Sequence, residues 1–119
     1  MFSNSSLFLP VIEFVDKLDN QVNISIRIPT NLRYFDGHFP VGPILPGVVQ
    51  TDWVLHFVKR YLACSGEFSG FRQLKFQRVI GPGNRLVVRL VLFRDRNELE
   101  FSYTLGADTY SSGKILLRN

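Results

Sequence analysis

Residues 23–29, NISIRIP, alternate polar and apolar positions, and this period of two predicts a half-buried strand. Residues 74–80, 85–94, 98–105 and 111–118 are rich in Val, Leu, Phe and Tyr and are also expected to be strands. Turn signals separate them at Gly81-Pro82-Gly83-Asn84, Asp95-Arg96-Asn97 and Gly106-Ala107-Asp108. Residues 48–62 change the rhythm. Val48, Val49, Trp53, Val54, Leu55, Phe57, Val58 and Leu62 cover nearly the whole circumference of a helix, which predicts burial on most sides. Only Lys59 and Arg60, at the end where positive charge suits the helix dipole, are expected to be solvated. Residues 31–47, rich in Gly, Pro, Asn and Asp, predict a loop. One helix followed by an antiparallel meander is an α+β pattern, and the sheet must curl around the helix to bury it.

Composition narrows the class. The chain has 119 residues, which suits a single domain over 1–119 with one modest core. Hydrophobic residues make up 45% and charged residues 20%, values of a globular chain rather than a disordered one. No apolar stretch reaches the ~18 residues of a membrane span. The first residues, MFSNSSLFLPVIEF, show no basic segment leading into a long apolar one, so no signal peptide and a cytoplasmic location are expected. A single cysteine, Cys64, allows no intramolecular disulfide and reads as a small buried side chain.

Charge is unevenly placed. The chain carries a net +4, yet between residues 72 and 96 seven basic residues stand against one acidic residue, a local +6. This is either the solvated face of strands or a docking patch for an acidic partner. No nucleic-acid-binding motif accompanies it, so nucleic acid is not expected.

Candidate chemistry gathers between residues 37 and 58, GHFPVGPILPGVVQTDWVLHFV. Asp52 falls within the apolar helix, where an unpaired ionised carboxylate costs several kcal/mol. It must therefore be paired, protonated or placed in a cavity. His56 lies one turn on, at i+4, within reach of a hydrogen bond to Asp52. Gly47 precedes the first predicted helical residue, where free backbone N–H groups and the dipole favour developing negative charge. A residue without a side chain there suits an oxyanion hole. Pro40, Pro43 and Pro46, three of the six prolines, stiffen the approach, and His38 stands at its head.

These residues resemble a known signature. His38-Phe39-Pro40, then Pro43-Ile44-Leu45-Pro46-Gly47-Val48, then an acid fourteen residues after the histidine, are similar to the motif of the 3-hydroxyacyl-[acyl-carrier-protein] dehydratases. Tyr34-Phe35-Asp36-Gly37 fits that family's aromatic lead-in, and Leu74-Lys75-Phe76 followed by Ile80-Gly81-Pro82-Gly83 resembles its second block. The similarity runs from about residue 8 onward. It implies the hotdog fold, an antiparallel sheet wrapped around one long helix. It also implies homodimers, heterodimers with a hotdog paralogue, or higher assemblies, with each active site at a subunit interface. His38 of one chain would face Asp52 of the other. By resemblance His38 is the general base, Gly47 supplies the oxyanion N–H, Asp52 serves the leaving hydroxyl, and the Ile44 carbonyl orients the imidazole. Ile44, Val48, Trp53 and His56, with Phe57, are the candidates to meet the acyl substrate. Arg72, Lys75 and Arg78 are the candidates to dock the acidic acyl carrier protein. No metal or redox cofactor is implied.

The sequence departs from the family pattern at three places. Val41 stands where the family has Gly, with Gly42 one place later; His56 replaces the usual Gln; and the acid is Asp rather than the Glu of most simple dehydratases. Asp is typical of the branch that also isomerises double bonds, whereas the short chain matches the plain dehydratases. The departures fit a specialised pathway such as aryl polyene synthesis. Three readings compete: a dehydratase, a non-catalytic hotdog subunit that pairs with an active paralogue, and a thioesterase, against which the His38, Gly47 and Asp52 set argues.

Overall fold

A computed structural model describes residues 8–32, 44–62 and 67–118. Within these, six strands and one α-helix follow in the order β1 (Val11–Lys17), β2 (Gln21–Arg27), α1 (Gly47–Tyr61), β3 (Glu67–Phe76), β4 (Arg85–Phe93), β5 (Glu98–Leu105) and β6 (Asp108–Arg118), with a single 3-10 turn at Arg94–Arg96 between β4 and β5. The strands form one antiparallel sheet in the order β1-β2-β4-β5-β6-β3. The α+β expectation and the hotdog architecture hold.

The period of two sets the faces. Val22, Ile24 and Ile26 of β2, Leu86, Val88, Leu90 and Leu92 of β4, and Leu99, Phe101 and Tyr103 of β5 alternate into one buried layer. Trp53, Val54, Phe57 and Val58 of α1 fill the space above that layer. Trp53 and Phe57 are each almost completely buried, which stabilises the fold by about 1.5–3 kcal/mol per side chain. The Trp53 indole N–H also donates to the Phe8 carbonyl at 2.9 Å, tying the segment before β1 to the helix.

Three strands, β1, β3 and β6, do not follow simple alternation, because the register shifts within each; in β6 the extra residue is Tyr110, and that strand begins at Asp108, three residues before its expected start. In β1 the register shifts between Ile12 and Phe14, so Ile12 and Val15, three residues apart, both oppose inward residues of β2. No period of two announces that strand in the sequence. In β3 one extra residue lies between Arg72 and Lys75, and Gln73 there has φ 56°, in the left-handed region. The expected strand at 74–80 is corrected by this geometry. β3 starts seven residues earlier and ends at Phe76, after which the chain turns through Gln77 and Arg78, whose N–H groups both donate to the Tyr110 carbonyl. The bulge also sets which side chains meet the helix. Phe71 opposes the buried Ile115, Leu74 packs over Gly113, and Phe76 opposes the buried Ser111, while Arg72 and Lys75 are turned to the other face.

The expected burial of α1 on most sides is also corrected. Val48 is 75% exposed, Asp52 and His56 are exposed, and Leu55 is only half-buried. Val48, Asp52 and His56 fall at i, i+4 and i+8, so they form one stripe. The single sheet covers the opposite side of the helix and leaves this stripe open.

Candidate active site

The site is built around the first turn of α1. Pro46 caps the helix with φ −63° and ψ 149°, and its carbonyl accepts the Val49 and Gln50 N–H groups at 3.1 and 3.2 Å. No side chain caps this end and no acid lies in the first turn. The Gly47 and Val48 N–H groups therefore stand at the positive end of the dipole without intrahelical acceptors. Leu45, just before, is held by its N–H donating to the Ile80 carbonyl at 2.7 Å.

The glycine at 47 has a steric cause in this chain. A Cβ there would lie 2.8 Å from the ring tip of Phe76. The ring of Phe76, 48% exposed, rests where a side chain would stand. The same ring lines a hollow of about 410 Å³ together with Ile44, Pro46, Gly47, Gln50 and Val79. A second hollow, of about 330 Å³, lies further along the helix and is lined by Val48, Thr51, Asp52, Leu55 and Phe71. Gly47 and Asp52 thus open on neighbouring depressions beside the edge strand β3.

Asp52 is not buried within the single chain, contrary to the expectation from the apolar helix. The reason is the open stripe: the apolar neighbours of Asp52 in sequence point away from it into the core. Among the described residues no hydrogen bond joins Asp52 to His56, and the His56 ring instead meets Phe57 edge-on at 5.9 Å between centroids. Beneath the helix the Tyr103 hydroxyl donates to the Gln50 carbonyl at 2.6 Å. Burial pushes the pKa of this phenol well above its ordinary value, and the negative charge of Asp52 pushes it the same way.

The other sequence candidates fall as follows. Ile44 lines the first hollow and Val48 the second. Trp53 and Phe57 lie in the core and line neither hollow. Arg72, Lys75 and Arg78 are all exposed, on or just after the edge strand. Arg78 is engaged with Asp108 at 3.4 Å and lies over the Tyr110 ring. His38, Val41, Gly42 and Cys64 lie outside the described residues. Among the described residues, no group of three or more His, Cys, Asp or Glu is placed to hold a metal ion. No described helix is long and apolar enough to cross a membrane.

Sequence reasoning passed over Gln50. It is buried, with its amide accepting from the Ser111 hydroxyl at 2.7 Å and donating to the Leu45 carbonyl at 3.2 Å. The signal was present: an amide three residues into an apolar helix needs partners as much as Asp52 does.

Comparison with known proteins matches this arrangement to one family. The family described as ApeI dehydratase matches residues 15–114. Among solved structures, the dehydratase heterocomplex ApeI:P from Xenorhabdus doucetiae contains a chain 36% identical, with a TM-score of 0.86, covering 93% of this chain and 99% of that one. A protein from Erwinia carotovora subsp. atroseptica is 39% identical with a TM-score of 0.80, covering 92% and 95% of the two chains. The 3-hydroxyacyl-[acyl-carrier-protein] dehydratase FabZ of Levilactobacillus brevis is 25% identical over 98 residues, 72% of this chain. The matched region spans 66% of that enzyme's length.

Proposed function

The chain belongs to the ApeI-like dehydratase family, and from that premise we propose that it removes water from 3-hydroxyacyl thioesters on acyl carrier protein, giving trans-2-enoyl thioesters in a fatty acid or polyene pathway of the cytoplasm. His38 takes the C2 proton, as an imidazole near neutrality can. The Gly47 N–H, at the positive end of α1, receives the charge that develops on the thioester oxygen, a contribution of about 3 kcal/mol. Asp52 delivers a proton to the C3 hydroxyl, the C3–O bond breaks, and water leaves. His38 then releases its proton to solvent and Asp52 regains one, which closes the cycle.

The observation that carries this reading is the stripe of Val48, Asp52 and His56 on an otherwise buried helix. An acid that must protonate a leaving group needs a drier setting than this chain gives it alone. A second hotdog subunit laid over the stripe supplies that setting and brings its own His38 to Asp52. The edge strand β3 supports such pairing, since Phe68, Leu74 and Phe76 are exposed along it and its backbone is unpaired on one side among the described residues. The resemblance to a chain of a two-protein complex leaves the partner as a second copy or a paralogue.

The test is purified protein incubated with 3-hydroxyacyl-carrier-protein, with loss of water followed by mass spectrometry. Activity is expected, and His38→Ala and Asp52→Ala should each abolish it. Activity that survives both changes refutes the mechanism. The similarity to a heterocomplex chain, with His56 in place of Gln, favours one alternative, a subunit that works only with an active paralogue. That reading replaces the first if the chain is silent alone and the pair is active with this chain's His38→Ala and Asp52→Ala variants.

A further inference from the structure

The geometry points to Gln50 as the residue that aims the Gly47 amide: a positioning residue, held in turn by Ser111 and Tyr103. The catalytic meaning of that amide rests on the proposed dehydration; the positioning itself does not.

In a trans peptide the C=O and the next residue's N–H point in opposite directions. No described peptide bond is cis. The Gly47 N–H therefore points opposite to the Pro46 carbonyl, which is turned into the helix toward the Val49 and Gln50 N–H groups. The plane before it belongs to Leu45, whose carbonyl receives Gln50 Nε2. Between the two planes only the Pro46 dihedrals remain, and the ring fixes one of them. Gln50 thus holds two successive carbonyls, Pro46 through its backbone N–H and Leu45 through its side chain. One plane earlier, the Leu45 N–H points at Ile80 in the sheet-side turn, so the Ile44 carbonyl points away from it. The two backbone groups assigned to the reaction, the Ile44 carbonyl and the Gly47 N–H, flank Leu45 and Pro46, the two residues whose carbonyls Gln50 clamps.

Gln50 is itself fixed from below. Tyr103 and Ser111 are cross-strand partners on β5 and β6. Tyr103 donates to the Gln50 carbonyl and Ser111 to its Oε1. The buried amide therefore has one donor and one acceptor bond in fixed directions, and its rotation is closed off. A Leu at this position would fill similar volume but leave the Leu45 carbonyl and the Ser111 hydroxyl without these partners.

The experiment compares wild type, Gln50→Leu and the double variant Gln50→Leu/Ser111→Ala. Removing the stranded hydroxyl should restore much of the thermal stability that Gln50→Leu loses, because the unsatisfied donor goes with it. Positioning should not return. The expected result is kcat lowered ~10- to 100-fold in both variants, with KM for the carrier-bound substrate within about twofold of wild type. Hydrogen–deuterium exchange is read in parallel. The segment 44–49 should exchange at least about tenfold faster in both variants, while 54–61 stays protected. Recovery of kcat together with stability in the double variant would reduce Gln50 to a packing residue and overturn the proposal. Raised KM at unchanged kcat would overturn it in favour of substrate contact. Unchanged exchange at 44–49 would overturn it even in a chain with no activity, whereas fast exchange without wild-type activity upholds positioning and rejects the dehydratase reading.

Discussion

The Tyr103 hydroxyl lies 2.6 Å from the Gln50 carbonyl, a bond between the centre of the sheet and the first turn of the only described α-helix. Burial holds this phenol in its protonated form. The sign of its effect on stability follows from proton counting. Near and above pH 10 the unfolded chain loses this proton while the folded chain keeps it, so the folded state binds more protons and stability falls as pH rises. Below pH 10 the contribution is fully present. Urea unfolding from pH 8 to 11 should show a declining limb steeper in wild type than in Tyr103→Phe, by up to about 1.4 kcal/mol per pH unit. Equal slopes would mean that another group controls the alkaline limb.

Asp52 should separate activity from stability. Because it is exposed in the single chain, Asp52→Asn should change the unfolding free energy of the monomer by no more than about 0.5 kcal/mol. Turnover should drop by ~100-fold or more. Chemical denaturation at dilutions where the chain is monomeric, beside a carrier-protein dehydration assay of the assembled protein, decides this, and parallel losses of stability and activity would place Asp52 in the framework instead.

Two inactive variants should rescue one another. If His38 of one subunit serves Asp52 of the next, a mixed dimer of His38→Ala and Asp52→Ala chains contains one intact site. Random exchange between equal amounts should restore about one quarter of wild-type activity. A mixture that stays inactive after verified subunit exchange would put both residues in the same chain's site.

The two close-packed glycines should differ in tolerance. A Cβ at Gly113 would sit 2.6 Å from Leu74 Cδ2 and 2.8 Å from Phe101, whose ring is buried. Gly113→Ala is expected to cost about 1–3 kcal/mol. Gly47→Ala meets the tip of the half-exposed Phe76, which can swing aside, so its cost should be about 1 kcal/mol or less. Thermal denaturation of the pair tests the order.

Charge reversal should reveal how the substrate arrives. Arg72→Glu and Lys75→Glu should raise KM for carrier-bound substrate roughly three- to tenfold and leave short thioester analogues unaffected. Arg78→Glu should act less cleanly, because Arg78 already pairs with Asp108. Equal effects on both substrates would remove these residues from docking.

The sequence made the regular parts of this molecule legible. Strands β2, β4 and β5 obey the period of two, β6 does so from Ser111 onward, and α1 begins and ends within a residue of its expected limits. β1 and the true extent of β3 were hidden by bulges, since one added residue breaks the alternation that marks a strand. The motif drew attention to Gly47 and Asp52, which the fold places on adjoining hollows. Their surroundings were harder to read. Apolar content around the helix does not say whether the cover comes from the same chain or another, so Asp52 looked dry and is not. Gln50 went unnoticed because its partners, Tyr103 and Ser111, are more than fifty residues away.

The bulge at Gln73 is a frame marker. With the extra residue in place, phenylalanine arrives over the start of the helix and the lysine beside it faces outward. Pair the same residues straight through, with no bulge, and the parity of everything after Gln73 reverses. An ammonium group would then swing toward the positive end of the dipole and an aromatic ring toward water. Loss of Gln73 itself should, by contrast, be absorbed, since Leu74, Lys75 and Phe76 would still oppose Gly113, Ser112 and Ser111 in a regular ladder.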